Sequence, residues 1–121
     1  WEMACRWPIE PESGTAARLA ETAWFRNNSD GAIRDVAGRE PNHLGLYDML
    51  GNVREWCTDW CAPYFPEDTL DPWGPETGTR KVLRGGSYMA VISRCQPADR
   101  IACTPDFRCD AIGFRPVLAQ G

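Results

Sequence analysis

GLYDMLGNVREWCTDW, residues 45–60, is the stretch that decides how this chain folds. Its Gly51-Asn52 pair adopts positive φ at little cost, so it predicts a sharp reversal that leaves backbone carbonyl oxygens free. Asp48 and Glu55 flank the reversal. Carboxylate and carbonyl oxygens suit a hard cation such as Ca²⁺, which takes roughly 6–8 oxygen ligands. The alternative is structural, with Asp48 as a capping residue and Glu55 as a surface residue paired with an arginine.

The residues after the reversal predict a strand. Val53, Trp56 and Trp60 alternate imperfectly with Glu55 and Asp59. This pattern is typical of a strand that buries its apolar face, so we expect the two tryptophans to anchor the strand in the core.

Other elements follow from local composition. Residues 16–25 are good helix formers with an apolar stripe, which predicts a short amphipathic helix. Strands are predicted at residues 81–84 and 112–118. The proline- and aromatic-rich residues 62–75 predict a packed loop.

Length and charge exclude several classes of protein. The 121 residues suffice for one domain, and no apolar run approaches the roughly 18 residues of a membrane span. A net charge of −4 argues against a nucleic-acid surface that neutralises phosphates. The six Trp, eleven Gly and ten Pro favour a loop-rich fold with short strands.

The six cysteines lack the density of a disulfide scaffold. His43 is the single histidine, so a zinc site would need four thiolates, and Cys57 with Cys61 forms only a weak half-site. Buried free thiols are the default expectation. No Ser/His/Asp set, phosphate loop or close pair of catalytic carboxylates is evident.

Four motifs in this order closely resemble the formylglycine-generating enzyme, or sulfatase-modifying factor, family: WEMACR at 1–6, GLYDMLGNVREW at 45–56, LRGGSY at 83–88 and GFR at 113–115. The resemblance implies an α+β fold of the C-type-lectin-like kind, loop-rich, with short antiparallel strands and few helices. It also implies that an N-terminal part of the domain is missing, so that residues 1–121 are the C-terminal portion of a single domain.

The resemblance strengthens the expectation of a structural Ca²⁺. Carried over by position, its ligands are the side chains of Asp48 and Glu55 and the carbonyl oxygens of Gly51 and Val53. Arg54 departs from the family, which usually has Trp at that position.

A second departure concerns catalysis. Family enzymes use O₂ and a copper ion held by two cysteines, five positions apart, and here those positions are Ala90 and Cys95. A Cu(I) ion that loses one of two thiolates loses half its protein ligands, so the oxidation of a sulfatase cysteine to formylglycine should fail. The enzyme alternative keeps Cys95 as catalytic and needs Cys103 or Cys109 to substitute. A related alternative is an accessory domain of a sulfoxide synthase.

The favoured hypothesis is a non-catalytic binding module. The chain also resembles the variable proteins of diversity-generating retroelements. This resemblance implies that residues 89–111 form a recognition surface for a protein or small-molecule ligand. It also implies that the codons of this segment are candidates for diversification by mutation of adenines. For the apolar residues of this segment the alternative is core packing, which we expect for about half of them. A sensor or scaffold domain of a larger protein is a third reading. The expected ligand contacts are Met89, Ala90, Val91, Ile92, Asp99, Ile101, Cys103, Phe107, Cys109 and Asp110.

Overall fold

The computed structural model describes residues 1–6, 15–62 and 75–118. Their elements, in chain order, are helices α1 (Glu2–Arg6) and α2 (Ala16–Thr22), strands β1 (Arg54–Trp60) and β2 (Lys81–Arg84), a 3-10 turn (Ile92–Arg94), and strands β3 (Arg100–Cys103) and β4 (Ile112–Gly113). The fold is α+β, loop-rich and poor in helix, as predicted. Of the predicted loop 62–75, only the two end residues lie within the described part. No helix in the described ranges has the length and apolar character needed to cross a membrane.

Helix α2 begins and ends on side-chain hydrogen bonds. The Thr15 hydroxyl accepts from the backbone N–H of Arg18 at 3.4 Å, as an N-cap does. The chain leaves the helix at Ala23, whose backbone is extended. Asn28 explains this early end, because its side chain bonds both the carbonyl of Ala23 and the N–H of Phe25. The predicted helix therefore stops before residue 25.

The four strands form one sheet in the order β3-β2-β1-β4. The β1–β2 and β2–β3 pairs are antiparallel. Strand β4 instead runs parallel to β1, with Arg54 opposite Ile112. The sheet is therefore mixed rather than purely antiparallel, because the chain crosses from one edge of the sheet to the other between Cys103 and Ile112.

Burial along β1 corrects the sequence-based prediction. Glu55 is the buried residue of this strand, at 4% exposure, while Trp56 and Trp60 are only half-buried. Neither tryptophan belongs to the core cluster, so the prediction that they anchor the strand there is wrong. Trp60 instead lies beneath the Lys81 ammonium group, 3.9 Å from the ring centroid, where a cation–π contact suits a partly exposed ring.

The core lies between the two helices and the reversal that precedes β1. Both helices and the reversal contribute to it, and one thiol from the segment after β2 completes it. Its buried members are Cys5, Leu19, Ala23, Phe25, Met49, Leu50 and Cys95. The two residues that precede Gly51, Met49 and Leu50, are thus part of this core.

Candidate functional site

The reversal at Gly51-Asn52 has the predicted conformation. Gly51 has φ of +79° and Asn52 of +61°. A Cβ at position 51 would collide with the carbonyl oxygen of Trp24, so only glycine fits there. The Asn52 side chain bonds both the N–H and the carbonyl of Arg34, each at 3.0 Å. The reversal is thus held by residues far away in sequence.

The four residues expected to hold a cation line the same cavity. Asp48, Gly51, Val53 and Glu55 all line one cavity of about 360 Å³. We call residues 48–55, with the cavity they line, the corner. Asp48 itself has φ of +55°, an uncommon conformation for a residue with a Cβ. The corner therefore brings the four residues of the predicted ligand set to one cavity.

The two carboxylate oxygens of Asp48 differ in their hydrogen bonding. Its Oδ2 accepts from the backbone N–H of Ala37 at 2.8 Å. Its Oδ1 is buried and has no hydrogen-bond partner among the described residues. A buried acceptor without a donor is unfavourable by about 1–3 kcal/mol, and more when it is charged. This oxygen is therefore the strongest argument for a cation in the cavity.

Glu55 is already paired. Arg115 donates to its carboxylate through Nε at 2.8 Å and through Nη2 at 3.1 Å. The indole Nε1 of Trp1 donates to the same carboxylate at 3.3 Å. The hydrogen bond to Glu55 raises the pKa of Arg115, outweighing the opposite effect of burial. The structural alternative is therefore met in part: Glu55 is paired with an arginine, but it is buried rather than at the surface.

The residues present fit a cation in part. An ionised carboxylate has about four acceptor positions, so three donors on Glu55 leave it roughly one. Asp48 offers its unbonded Oδ1. Within the described residues, no three His, Cys, Asp or Glu side chains group as metal ligands, so the backbone carbonyls would have to supply the remaining oxygens. Ca²⁺ binding stays a prediction.

The segment that follows Tyr88 is fastened to the corner at both ends. We call residues 89–111 the recognition segment. The backbone N–H of Tyr88 donates to the carbonyl of Asn52 at 2.7 Å, and the N–H of Arg54 donates to the carbonyl of Ala111 at 2.7 Å. The Ser29 hydroxyl also donates to the carbonyl of Tyr88 at 2.7 Å. Both ends of the recognition segment are thus joined to the corner by backbone hydrogen bonds.

The ten expected contact residues divide into an exposed and a half-buried group. The exposed apolar side chains are Met89 at 54%, Val91 at 40%, Ile92 at 36% and Phe107 at 47%. Cys109 and Asp110 are also exposed, whereas Ala90, Asp99, Ile101 and Cys103 are half-buried.

Five of the ten have partners in the scaffold, two of them, Ile101 and Cys103, through the pairing of β3 with β2. The Asp99 carboxylate lies 3.5 Å from Arg54 and 3.3 Å from Arg94, and its side chain is only 13% exposed. Asp110 accepts from the Tyr88 hydroxyl at 3.1 Å. Ala90 packs against the core. These side chains therefore hold the segment in its conformation. Arg54, the residue at which this chain departs from its family, pairs with Asp99.

Sequence reasoning did not single out Arg115 or Trp1 as site residues. The available signal was that both lie in family motifs, WEMACR and GFR, but the motifs do not say what their side chains contact. The parts of the corner that the sequence did indicate were the glycine turn and its carboxylates.

The two positions where the resemblance implies copper ligands are Ala90 and Cys95. Cys95 is fully buried, and burial raises the pKa of its thiol to about 11. All six cysteines are free thiols. The other of these two positions holds the methyl group of Ala90. Of the two cysteines that the enzyme alternative would need as substitutes, Cys103 is half-buried on β3 and Cys109 is exposed.

Comparison with known proteins gives three informative matches. Residues 1–120 match the family described as "Sulfatase-modifying factor enzyme 1-like domain". The formylglycine-generating enzyme of Mus musculus is 43% identical over 134 residues, which cover 95% of this chain and 36% of that protein. The solved structure of Treponema denticola variable protein 1 has a TM-score of 0.85 and 36% identity, covering 94% of this chain and 43% of that one.

A second formylglycine-generating enzyme is also similar to this chain. The formylglycine-generating enzyme of Streptomyces coelicolor is 47% identical over 85 residues, which cover 66% of this chain and 27% of that protein. The chain thus spans about a third of the length of these curated relatives.

Proposed function

The chain belongs to the sulfatase-modifying factor enzyme 1-like family, and on that premise we propose that it is a non-catalytic binding module for a protein or small-molecule ligand. The recognition segment is the contact surface. The observation that carries the proposal is the exposure of four apolar side chains, Met89, Val91, Ile92 and Phe107, on a segment fastened at both ends.

The chemistry of these side chains suits recognition. A contiguous exposed apolar patch with a polar rim is typical of an interaction site, and the proposal requires these four side chains to form one. Phe107 supplies an aromatic anchor, and Met89 an adaptable thioether that can follow the shape of a partner. The similarity to Treponema denticola variable protein 1 supports the same interpretation.

The fixed ends reduce the entropy lost on binding. Tyr88 and Ala111 are held by backbone bonds to the corner, and Asp99 is held between two arginines. A segment that is already ordered loses less conformational freedom when a ligand binds. Direct contact with the ligand then falls to the outward side chains.

Calcium is the proposed structural cofactor. Asp48 would hold it through Oδ1, with the carbonyl oxygens of Gly51 and Val53 and the remaining acceptor position of Glu55. The ion would compensate the buried charge of Asp48 and brace the support of the recognition segment. We expect Ca²⁺ to raise the melting temperature by several degrees and Asp48→Ala to abolish the rise. Asp35→Ala, a change at an exposed carboxylate near the corner, is the matched control and should keep the full response.

The second candidate function is a copper-dependent oxidase that acts on sulfatase cysteines. The names of the relatives at 43% and 47% identity favour it. One feature opposes it: Ala90, at one of the two positions where the resemblance implies a copper ligand, has no ligand atom. A soft Cu(I) ion held by two thiolates would lack one of them here.

One pair of assays separates the two functions. For binding, a displayed random peptide library is selected against the whole chain, and the affinity of a selected peptide is measured for Ile92→Ala, Phe107→Ala and Val36→Ala. We expect tenfold or greater weakening in the first two variants, a typical hot-spot effect of about 1.4 kcal/mol or more. Val36 is exposed outside the recognition segment, so its variant should bind normally.

For catalysis, the protein is incubated with Cu(I), O₂ and a cysteine-containing sulfatase peptide. Conversion of the cysteine to an aldehyde, read by mass spectrometry, would refute the non-catalytic proposal. A selected peptide that is insensitive to both Ile92→Ala and Phe107→Ala contradicts the recognition surface instead.

A further inference from the structure

We propose that Arg115 competes with a divalent cation for Glu55 and thereby sets the cation affinity of the corner. The proposal rests on the cation site put forward above and adds the residue that controls it. It does not depend on what the recognition segment binds.

The geometry makes Arg115 an internal cation of the cavity. Arg115, Asp48 and Glu55 line the same cavity. The guanidinium makes a two-pronged contact with Glu55, at 2.8 and 3.1 Å, and donates from Nη2 to the carbonyl of Tyr47 at 2.7 Å. The Glu55 side chain is 6% exposed, so its carboxylate is well shielded from water.

Charge counting favours competition over cooperation. The charged residues that line the cavity are Asp48, Glu55 and Arg115, so two carboxylates and one guanidinium give its lining a net charge of −1. A divalent ion at Asp48 would therefore be only partly neutralised, and it would lie close to the positive charge of Arg115. The repulsion of like charges in a partly buried site is much stronger than in water.

Acceptor counting leads to the same conclusion. Arg115 and Trp1 together occupy about three of the four acceptor positions of Glu55. A cation that used Glu55 fully would have to displace the guanidinium. Arg115 is itself 30% exposed at its side chain, so it has solvent into which it can withdraw. The corner can thus be held either by Arg115 or by a cation, and Arg115 weakens the second state.

The test is calorimetric titration of the whole chain with CaCl₂. Arg115→Met removes the charge, Arg115→Gln removes it but keeps an amide donor, and Arg115→Lys keeps the charge but loses the fork. Arg84→Met is the matched control, since Arg84 is also a part-buried arginine paired with a carboxylate, that of Glu2 at 3.3 Å.

Competition predicts that both neutral variants bind Ca²⁺ at least about tenfold more tightly than the unaltered chain. Arg115→Lys and Arg84→Met should stay within about threefold of it. A neutral variant that binds equally or more weakly overturns the proposal, because Arg115 would then be positioning Glu55 for the ion rather than opposing it.

The remaining outcomes are also decisive. Binding by the neutral variants alone supports the competition and shows that Arg115 prevents Ca²⁺ binding in the unaltered chain. Binding by none of the proteins overturns both the competition and the calcium cofactor, but leaves the recognition surface intact. If the neutral variants do not fold, circular dichroism decides: folding on addition of Ca²⁺ supports the proposal, and continued unfolding overturns it.

Discussion

The corner and the recognition segment are both largely irregular backbone, yet they use their side chains in opposite ways. Residues 49–52 are buried, and Asn52 and Glu55 bond to partners 18 and 60 positions away. Residues 104–110 are all exposed. Irregular backbone is therefore rigid where distant segments satisfy its polar groups, and it is free to vary where side chains face solvent.

The recognition segment also contains this contrast within itself. Cys95 is buried in the core cluster, whereas Cys109 is exposed. The segment thus has an inward anchor and an outward surface. The predictions below test the two contrasts, beginning with the largest expected effect.

The two cysteines should differ most in their reaction with iodoacetamide. The Cys95 pKa of about 11 lies well above the working pH, so at about pH 8 roughly one thiol in a thousand is ionised. Because burial adds a steric barrier to this small thiolate fraction, we expect alkylation of Cys109 to be at least about a hundredfold faster. Peptide mapping by mass spectrometry over time measures both rates. Comparable rates in the folded protein would contradict the inward position of Cys95.

Gly51→Ala should destabilise the corner strongly. The new methyl group meets the Trp24 carbonyl oxygen at a φ of +79°, so we expect a loss of about 3–4 kcal/mol in free energy of unfolding. Urea denaturation measures it. Gly45→Ala is the matched control, since Gly45 has a similar φ of +76° but no atom within 4 Å of a Cβ. Its loss should be about 1 kcal/mol. Equal losses would mean that strain alone, without the collision, accounts for the effect.

Asp99→Ala tests the tie between the two regions. It removes a carboxylate held by Arg54 and Arg94 and leaves the part-buried Arg54 without its ion pair. We expect a loss of about 1–2 kcal/mol, with faster hydrogen exchange along the recognition segment. Asp106→Ala, at an exposed site, should change neither quantity. An unaltered exchange rate in Asp99→Ala would show that the backbone bonds at the two ends suffice.

Ile92→Ser should have the smallest effect on stability. Its side chain is partly exposed and lies outside the core cluster, so the free energy of unfolding should change by less than about 0.5 kcal/mol. Thermal unfolding measures it. Leu19→Ser, at a fully buried site, provides the contrast with a loss of several kcal/mol. A large loss in Ile92→Ser would move this residue from the recognition surface to the scaffold.

Much of the fold was predictable where short-range chemistry decides it. The Gly51-Asn52 reversal follows from the low cost of positive φ, and helix α2 begins where Thr15 can cap it. Strand β2 has the predicted bounds, residues 81–84. The convergence of Asp48 and Glu55 on one cavity also follows from the turn between them.

The errors occurred where distant partners decide. A tryptophan face was expected to be buried on β1, but Glu55 is buried instead, because Arg115 and Trp1 compensate its charge from 60 and 54 positions away. The parallel pairing of β4 depends on the path of the whole recognition segment. A hydrophobic pattern contains no information about such partners.

The sequence by itself determined the family, the loop-rich α+β class, the glycine turn and the presence of Ala90 where the resemblance implies a copper ligand, because motifs, backbone freedom and residue identity are local properties. Only the tertiary structure decided which charges are paired and which side chains face outward. Glu55 became a buried ion pair, Asp99 an anchor, and four apolar residues of the recognition segment a surface, since pairing and exposure depend on residues that meet only when the chain is folded.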